Sequence, residues 1–334
     1  MAPVAHEFIP LHTNVLMHCV TSKAERRPAR GTVVLVHGFP DTSHGWRHIV
    51  PKLSGAGYDV YAPDTRGYAD TKFMSVSRPL IHEDFCMEAV VGDLVALLDA
   101  LGLERAILIG HDWGGTQVWN FAAHHPTRLQ AVASFCTPFF PANAAENPWV
   151  KMNAPTADTR FDYQLWFQHE PAIAELNRDT NYTTRCMLRA IGDTHVAAVM
   201  NPDPPRKRGG LLVGHPLDIA PSSILSPTDV AVYARQFAAQ GFRGPVYYYR
   251  NVERNWQWNN RVAGVTIAVP ALMVTAELDY ILKPSMTKGM AKHVPNVVIK
   301  NVEGVGHWLL QEKPLECAAI LIDWLQALPS SARL

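Results

Sequence analysis

The sequence predicts an α/β architecture: a mostly parallel, twisted sheet with helices on both faces and an inserted helical cap. Three observations carry this. Short apolar runs with little polar alternation take turns with helix-spaced segments in the first part of the chain. Between about Phe139 and Arg254 proline clusters and helical fragments replace that rhythm, and afterwards it returns. Strands apolar on both sides and separated by helices belong in a parallel sheet that is covered on both faces. The expected division is 1–138 for the first part of the core, 139–254 for the cap and 255–334 for the second part of the core.

The elements follow in order. "TVVLVHG" (32–38) and "YDVYAPD" (58–64) are β-rich runs that end in turns. "EAVVGDLVALLDALGL" (88–103) has apolar residues at helical spacing, with Gly102 as a stop. "RAILIG" (105–110) is a buried strand, a tight turn follows, and "TQVWNFAAHH" (116–125) reads as a helix. "LQAVASFC" (129–136) is the next strand. After the cap, "VTIAVPALMVTAELD" (265–279) and "NVVIKNVEG" (296–304) are strands, and "LECAAILIDWLQAL" (315–328) closes the chain as a helix.

Composition narrows the function classes. The chain has 334 residues, 48% of them hydrophobic and 18% charged, with a formal net charge of +0. That suits a soluble globular protein with a sizeable core and offers no bulk field for nucleic acid or anionic membrane. The basic run Arg206-Lys207-Arg208 reads as a solvated loop. Five scattered cysteines without C-x-x-C argue against a disulfide framework or zinc knuckle and point to a reducing, cytoplasmic compartment. No signal peptide and no membrane span are expected. The final Ala332-Arg333-Leu334 resembles a relaxed peroxisomal S-K-L address. Monomer and homodimer are both compatible with the sequence.

The decisive stretch is "ILIGHDWGGTQVW" (107–119), which sets Asp112 among Gly110, Gly114 and Gly115 between strand and helix. Small residues flanking a strained centre let the chain reverse sharply and push the central side chain out at the sheet edge. In the G-x-S-x-G version that group is a serine; here it is a carboxylate. Downstream, "VTAELDY" puts Asp279 just past a strand and "GVGHW" puts His307 past the next. Nucleophile, acid, histidine is the chain order of a hydrolase triad on this kind of sheet. His37 and His111 are rival bases inside tight turn motifs, and Glu277 and Glu303 are rival acids nearer their strands. In "HGFP" the Phe39 amide, together with the Trp113 amide, forms an expected two-donor oxyanion hole. Phe39-Pro40 is a candidate cis peptide.

The chain resembles the soluble epoxide hydrolases of the α/β-hydrolase superfamily along most of its length. The matching segments are "HGFPD", "PDTRGYADT", "GHDWGG", "FDYQLWFQ", "GFRGPVYYYRNVERNW", "PALMVTAELD" and "GVGHW". The resemblance implies two cap tyrosines, which fall on Tyr163 and, by the register of "YRN", on Tyr249, with Tyr247 and Tyr248 as neighbouring alternatives. It also implies substrate contacts at Gln164, Trp166, Pro40 and His111. Some members carry a second, phosphatase domain, for which 334 residues leave no room.

An epoxide carbon is sp³, so opening it needs an in-line nucleophile and an acid for the departing oxygen. A carboxylate is charged at neutral pH and needs no base, which explains aspartate where an esterase has serine. Asp112 is expected to form an alkyl ester while Tyr163 and Tyr249 protonate the oxygen. His307, held by Asp279, then activates water, and this step is expected to fail below a pH of about 6.5. The product is a vicinal diol, the partner a small lipophilic epoxide, and neither metal nor organic cofactor is required. Haloalkane and haloacid dehalogenases share the Asp–His–acid chemistry, and Trp113 suits both; the two tyrosines favour the epoxide. A non-catalytic binding protein on this fold is expected to lack one of Asp112, Asp279 or His307, and all three are here.

Overall fold

The computed structural model describes residues 3–154 and 156–329. The C-terminal Ala332-Arg333-Leu334 lies outside the described residues. Nine strands form one sheet: β1 (Val4–Leu11), β2 (Val15–Ser22), β3 (Thr32–Val36), β4 (Asp59–Pro63), β5 (Lys72–Phe73), β6 (Ala106–His111), β7 (Leu129–Phe135), β8 (Ala271–Ala276) and β9 (Val297–Val302). Their order is β1-β2-β4-β3-β6-β7-β8-β9, with β5 paired to β2. From β4 to β9 every neighbouring pair is parallel.

The N-terminal hairpin β1–β2 is antiparallel and extends the sheet beyond the strands legible in the sequence. In β1 only Ile9 and Leu11 are buried. That is the pattern of a solvated edge, and it lacks the apolar run that marks the central strands. β6, β7 and β8 are buried at every residue, as two-sided coverage requires. The run 265–279 is strand only over Ala271–Ala276. Pro270 has no N–H for the ladder and stands just outside it.

The helices Met87–Ala100, Trp113–His124 and Pro314–Ala327 pack on the sheet. Among the described residues, the stretch between β7 and β8 holds helices and no strand; the longer ones are Glu170–Asn177, Thr180–Met187, Pro227–Gln240 and Val252–Asn259. The basic run is a short helical turn, Pro205–Arg208, rather than a freely solvated loop. Arg206 Nε donates to Asp162 Oδ1 at 2.6 Å, and Arg208 Nη2 donates to Leu211 O at 2.6 Å.

β3 has β4 on one side and β6 on the other, so the chain reverses its direction of travel across the sheet at this point. The crevice beyond the carboxyl ends of such strands is the usual ligand site of an open α/β sheet. The Gly38 and Asp112 loops both leave the sheet there. No helix among the described residues is long and apolar enough to cross a membrane.

Candidate active site

Asp112 joins β6 to the helix Trp113–His124 with φ 53° and ψ −120°, a conformation foreign to most L residues. Holding it there costs about 1–3 kcal/mol, supplied by the surrounding packing. Gly110 and Gly114 make the reversal possible. A Cβ on Gly110 would strike the Gly114 carbonyl, and one on Gly114 would strike the Val36 carbonyl. Thr137 Oγ1 donates to Asp112 O at 2.7 Å and fixes the turn from β7.

The carboxylate has two different oxygens. Oδ1 accepts from the Phe39 N–H at 2.8 Å. The Trp113 N–H also donates to the carboxylate, and the free amides of the following helix turn their positive end toward it. Oδ2 lies 3.6 Å from His307 Nε2. His307 Nδ1 is 2.8 Å from Asp279 Oδ2, and Asp279 Oδ1 accepts from the Ile281 and Leu282 amides, each at 2.9 Å. The rival acid Glu277 instead accepts from Gly304 N at 2.8 Å. Phe39-Pro40 is cis, and so is Arg27-Pro28.

Electrostatics separate the roles. Burial raises the Asp112 carboxyl, and His307 and the two amides pull it back down without cancelling that rise. Burial also acts upward on Asp279, but the His307 charge and hydrogen bonds outweigh it and hold the acid at about 2. Burial alone would depress His307, yet Asp279, and behind it Asp112, lift it to about 9. The resting histidine is therefore protonated at neutral pH and faces the Asp112 carboxyl group. The threshold near 6.5 expected from an unperturbed imidazole does not apply to this state.

Tyr163 lies on the short helix Asp162–Trp166, anchored by the Asp162–Arg206 pair. Tyr249 lies in the turn Tyr248–Asn251, where Gln168 Nε2 donates to its carbonyl at 2.9 Å. Their rings meet edge to face at 5.8 Å, and both phenols are pushed up by burial first and by nearby charge, including that of Asp112. The neighbouring tyrosines are engaged elsewhere. Tyr248 OH donates to Arg66 O at 3.0 Å, and Tyr247 OH accepts from Arg243 at 2.9 Å.

Two cavities meet at this point. One, about 40 Å³, is lined by Phe39, Pro40, Asp112, Tyr163, Tyr249 and His307 together with apolar cap residues. The other, about 930 Å³, shares Asp112 and Tyr163 and is walled by Trp113, Phe140, Gln164, Leu282 and Met286 among others. Gln164 Nε2 reaches the Tyr163 hydroxyl at 3.3 Å.

Two expected substrate contacts are corrected. Trp166 lines neither cavity: it turns away, and its indole N–H donates to Glu175 Oε2 at 2.9 Å. His111 is fully buried behind the triad, and its Nε2 donates to His307 O at 2.9 Å. Burial, then the His307 charge, pushes His111 down to about 3, so it is a neutral scaffold group.

Other residues were invisible in the sequence. Cys136 Sγ donates to His307 O at 3.5 Å, and Glu312 accepts from the Gly306 amide at 3.0 Å. Nothing in "SFCTP" or "QEKP" marks them. Nitrogen and sulfur atoms of His111, Cys136 and His307 fall within 4.8 Å of one another, a spacing that could hold a metal. His111 Nε2 and the Cys136 thiol are both turned to the His307 carbonyl, and burial, reinforced by Asp279, keeps that thiol protonated. The donor set thus fits a packed triad support better than a metal centre.

Residues 31–314 match the family described as alpha/beta hydrolase fold. The chain is 40% identical over 325 residues to bifunctional epoxide hydrolase 2 of Sus scrofa, covering 97% of this chain and 55% of that protein. It thus spans about half the length of these bifunctional relatives. It is 37% identical over 307 residues to epoxide hydrolase A of Mycobacterium tuberculosis, covering 90% of this chain and 92% of the relative. The crystal structure of epoxide hydrolase A from Mycobacterium thermoresistibile superposes with a TM-score of 0.83 at 32% identity, covering 98% of this chain and 99% of that one. With its strained aspartate elbow on a mostly parallel sheet, the chain belongs to the α/β-hydrolase fold family, among the epoxide hydrolases.

Proposed function

We propose that this chain hydrolyses lipophilic epoxides to vicinal diols through a covalent ester on Asp112, and that 139–254 is the cap that brings the acid. The observation that carries the reading is the convergence of a carboxylate, two phenols and an Asp-held histidine on one small cavity.

In the first half, Asp112 Oδ2 attacks one ring carbon. That C–O bond breaks, and Tyr163 or Tyr249 gives its proton to the departing oxygen. Oδ1 stays on the Phe39 amide, so Oδ2, the oxygen near His307, is the nucleophile. The phenols are weak acids while Asp112 is charged. As the new bond consumes that charge, one cause of their weakness disappears, and proton donation coincides with ring opening.

In the second half His307 is the base. Ester formation removes the Asp112 charge that helped hold its proton, so its pKa falls. The imidazolium releases that proton, the phenolate left by ring opening regains one, and the neutral imidazole can then take a proton from water. The hydroxide adds at Cγ, and the oxyanion forms on Oδ1, which the Phe39 amide already holds. The Cγ–Oδ2 bond breaks, His307 returns the proton it took from water to the departing Oδ2, the diol leaves with that oxygen, and the water oxygen remains on Asp112. A single turnover in ¹⁸O-labelled water tests this: label enters Asp112, and label found in the diol instead rules the ester out.

A further inference from the structure

We propose that Glu312 is a positioning residue for His307, and that through it the cap holds the base in place for ester hydrolysis. This rests on the reading that Asp112 forms an ester and that His307 activates the water which breaks it. Glu312 ends the short helix Leu309–Glu312, which follows His307 and Trp308 directly. Its two oxygens go to different parts of the chain. Oε1 accepts from the Gly306 amide, next to His307, at 3.0 Å, and Oε2 accepts from the Ile191 amide at 3.2 Å.

Ile191 belongs to the region 139–254 and lines the cavity that Asp112 and His307 share. The two segments also touch directly: a Cβ on Gly306 would lie 3.2 Å from Ile191 Cβ. On the other side of the histidine, Trp308 Nε1 donates to Met187 O at 3.1 Å. The segment 187–191 thus grips the residues before and after His307. Its own bend is fixed by Asp193, which accepts from the Ala190 and Ser223 amides, each at 3.1 Å.

A carboxylate suits this place because it only accepts, so two N–H groups meet two oxygens. Glutamine would turn its NH2 toward one of those N–H groups. Aspartate keeps both oxygens and the charge, yet is one methylene too short to span both amides. The base needs the support because it must face a water and the ester carbon together, and a misplacement of about 1 Å can cost about 10²-fold. Ring opening rests on other anchors. Phe39 and Thr137 hold Asp112, the Asp162–Arg206 pair holds the Tyr163 helix, and Gln168 holds Tyr249.

The test follows the ester on Asp112 by rapid quench and intact mass in a single turnover of styrene oxide. The Glu312 charge helps to keep the proton on His307, so decay is read at its high-pH plateau, where the base form is complete. A first-order decay constant does not depend on how much of the protein is folded, so a merely destabilising change leaves it alone. Glu312→Gln and Glu312→Asp are both expected to lower it roughly tenfold or more, part of the about 10²–10⁴-fold that a general base supplies, with ring opening kept within about twofold. Normal decay in either variant, or equal slowing of both steps, overturns the inference and leaves the reaction standing. If neither variant folds, amide hydrogen exchange in the unmodified protein decides: Gly306 and Ile191 are expected to be protected together, and fast exchange at either overturns the tether. Neither adduct nor diol from styrene oxide or any other epoxide overturns the reaction itself and this inference with it.

Discussion

His307 Nε2 stands 3.6 Å from Asp112 Oδ2, while the other Asp112 oxygen is held at 2.8 Å by the Phe39 amide. One carboxylate thus has one oxygen bound to the backbone and the other turned to the histidine. The histidine is too far for a strong hydrogen bond to that oxygen. It is close enough to feel the loss of its charge.

Removing the histidine should split the two halves of the reaction. With His307→Gln, ester formation is expected to persist while its hydrolysis slows by about 10²–10⁴-fold, the usual worth of a general base. Intact-mass measurement after mixing with epoxide should reveal a stable adduct. A variant that turns over without any adduct contradicts the role of His307.

The pH dependence of ester breakdown follows from the same pair. The base form of His307 exists above its pKa, so breakdown rises with pH and fails as the pH falls through that value. In the resting enzyme the value is about 9, with the Asp112 charge among its causes. In the ester that charge is gone, so the midpoint of breakdown should lie below about 9. Rapid-quench decay of the adduct over a pH series, set beside an NMR titration of His307 in the free protein, measures the difference. Equal midpoints would mean that Asp112 does not hold the proton.

The phenols can be tested separately. Tyr163→Phe or Tyr249→Phe alone should slow ring opening roughly tenfold because the partner remains, and the pair together by at least about 10²-fold. A bromoalkane needs no such proton. Halide release that survives in the double variant, without epoxide turnover in the unmodified protein, would identify a dehalogenase.

Gly114→Ala probes the elbow itself. The added methyl meets the Val36 and His37 carbonyls, backbone on both counts, so no side chain can give way. A loss of about 1–3 kcal/mol in urea unfolding is expected, as for other overpacked sites, together with loss of activity. Unchanged stability would mean the turn is looser than its contacts imply.

β9 is mostly exposed and stood out by its β-branched residues alone, whereas the central strands β6, β7 and β8 were legible because they are short and buried on both faces. The β1–β2 hairpin was not, since a solvated edge such as β1 carries no such run. The elbow announced itself through its glycines, and the acid and base through their positions after strands. Pattern alone could not separate Tyr249 from Tyr247 and Tyr248, because three consecutive tyrosines differ only in which way the turn aims them. Trp166 misled because a helix of five residues turns successive side chains to different walls, so Tyr163 and Gln164 line a cavity and Trp166 does not. Cys136 and Glu312 act through contacts made only once distant segments meet, and a linear pattern holds no trace of them.

The loop that supplies the Phe39 amide continues into Asp41 and Thr42, and both grip the helix Pro227–Gln240. Tyr233 OH donates to Asp41 Oδ1 at 2.7 Å, and Thr42 Oγ1 donates to Gln236 Oε1 at 2.8 Å. Chimeras that graft a foreign lid onto this sheet must therefore bring hydroxyl and amide groups matching positions 233 and 236. Without them the graft unfastens an amide donor two residues upstream, however well its own pocket is shaped.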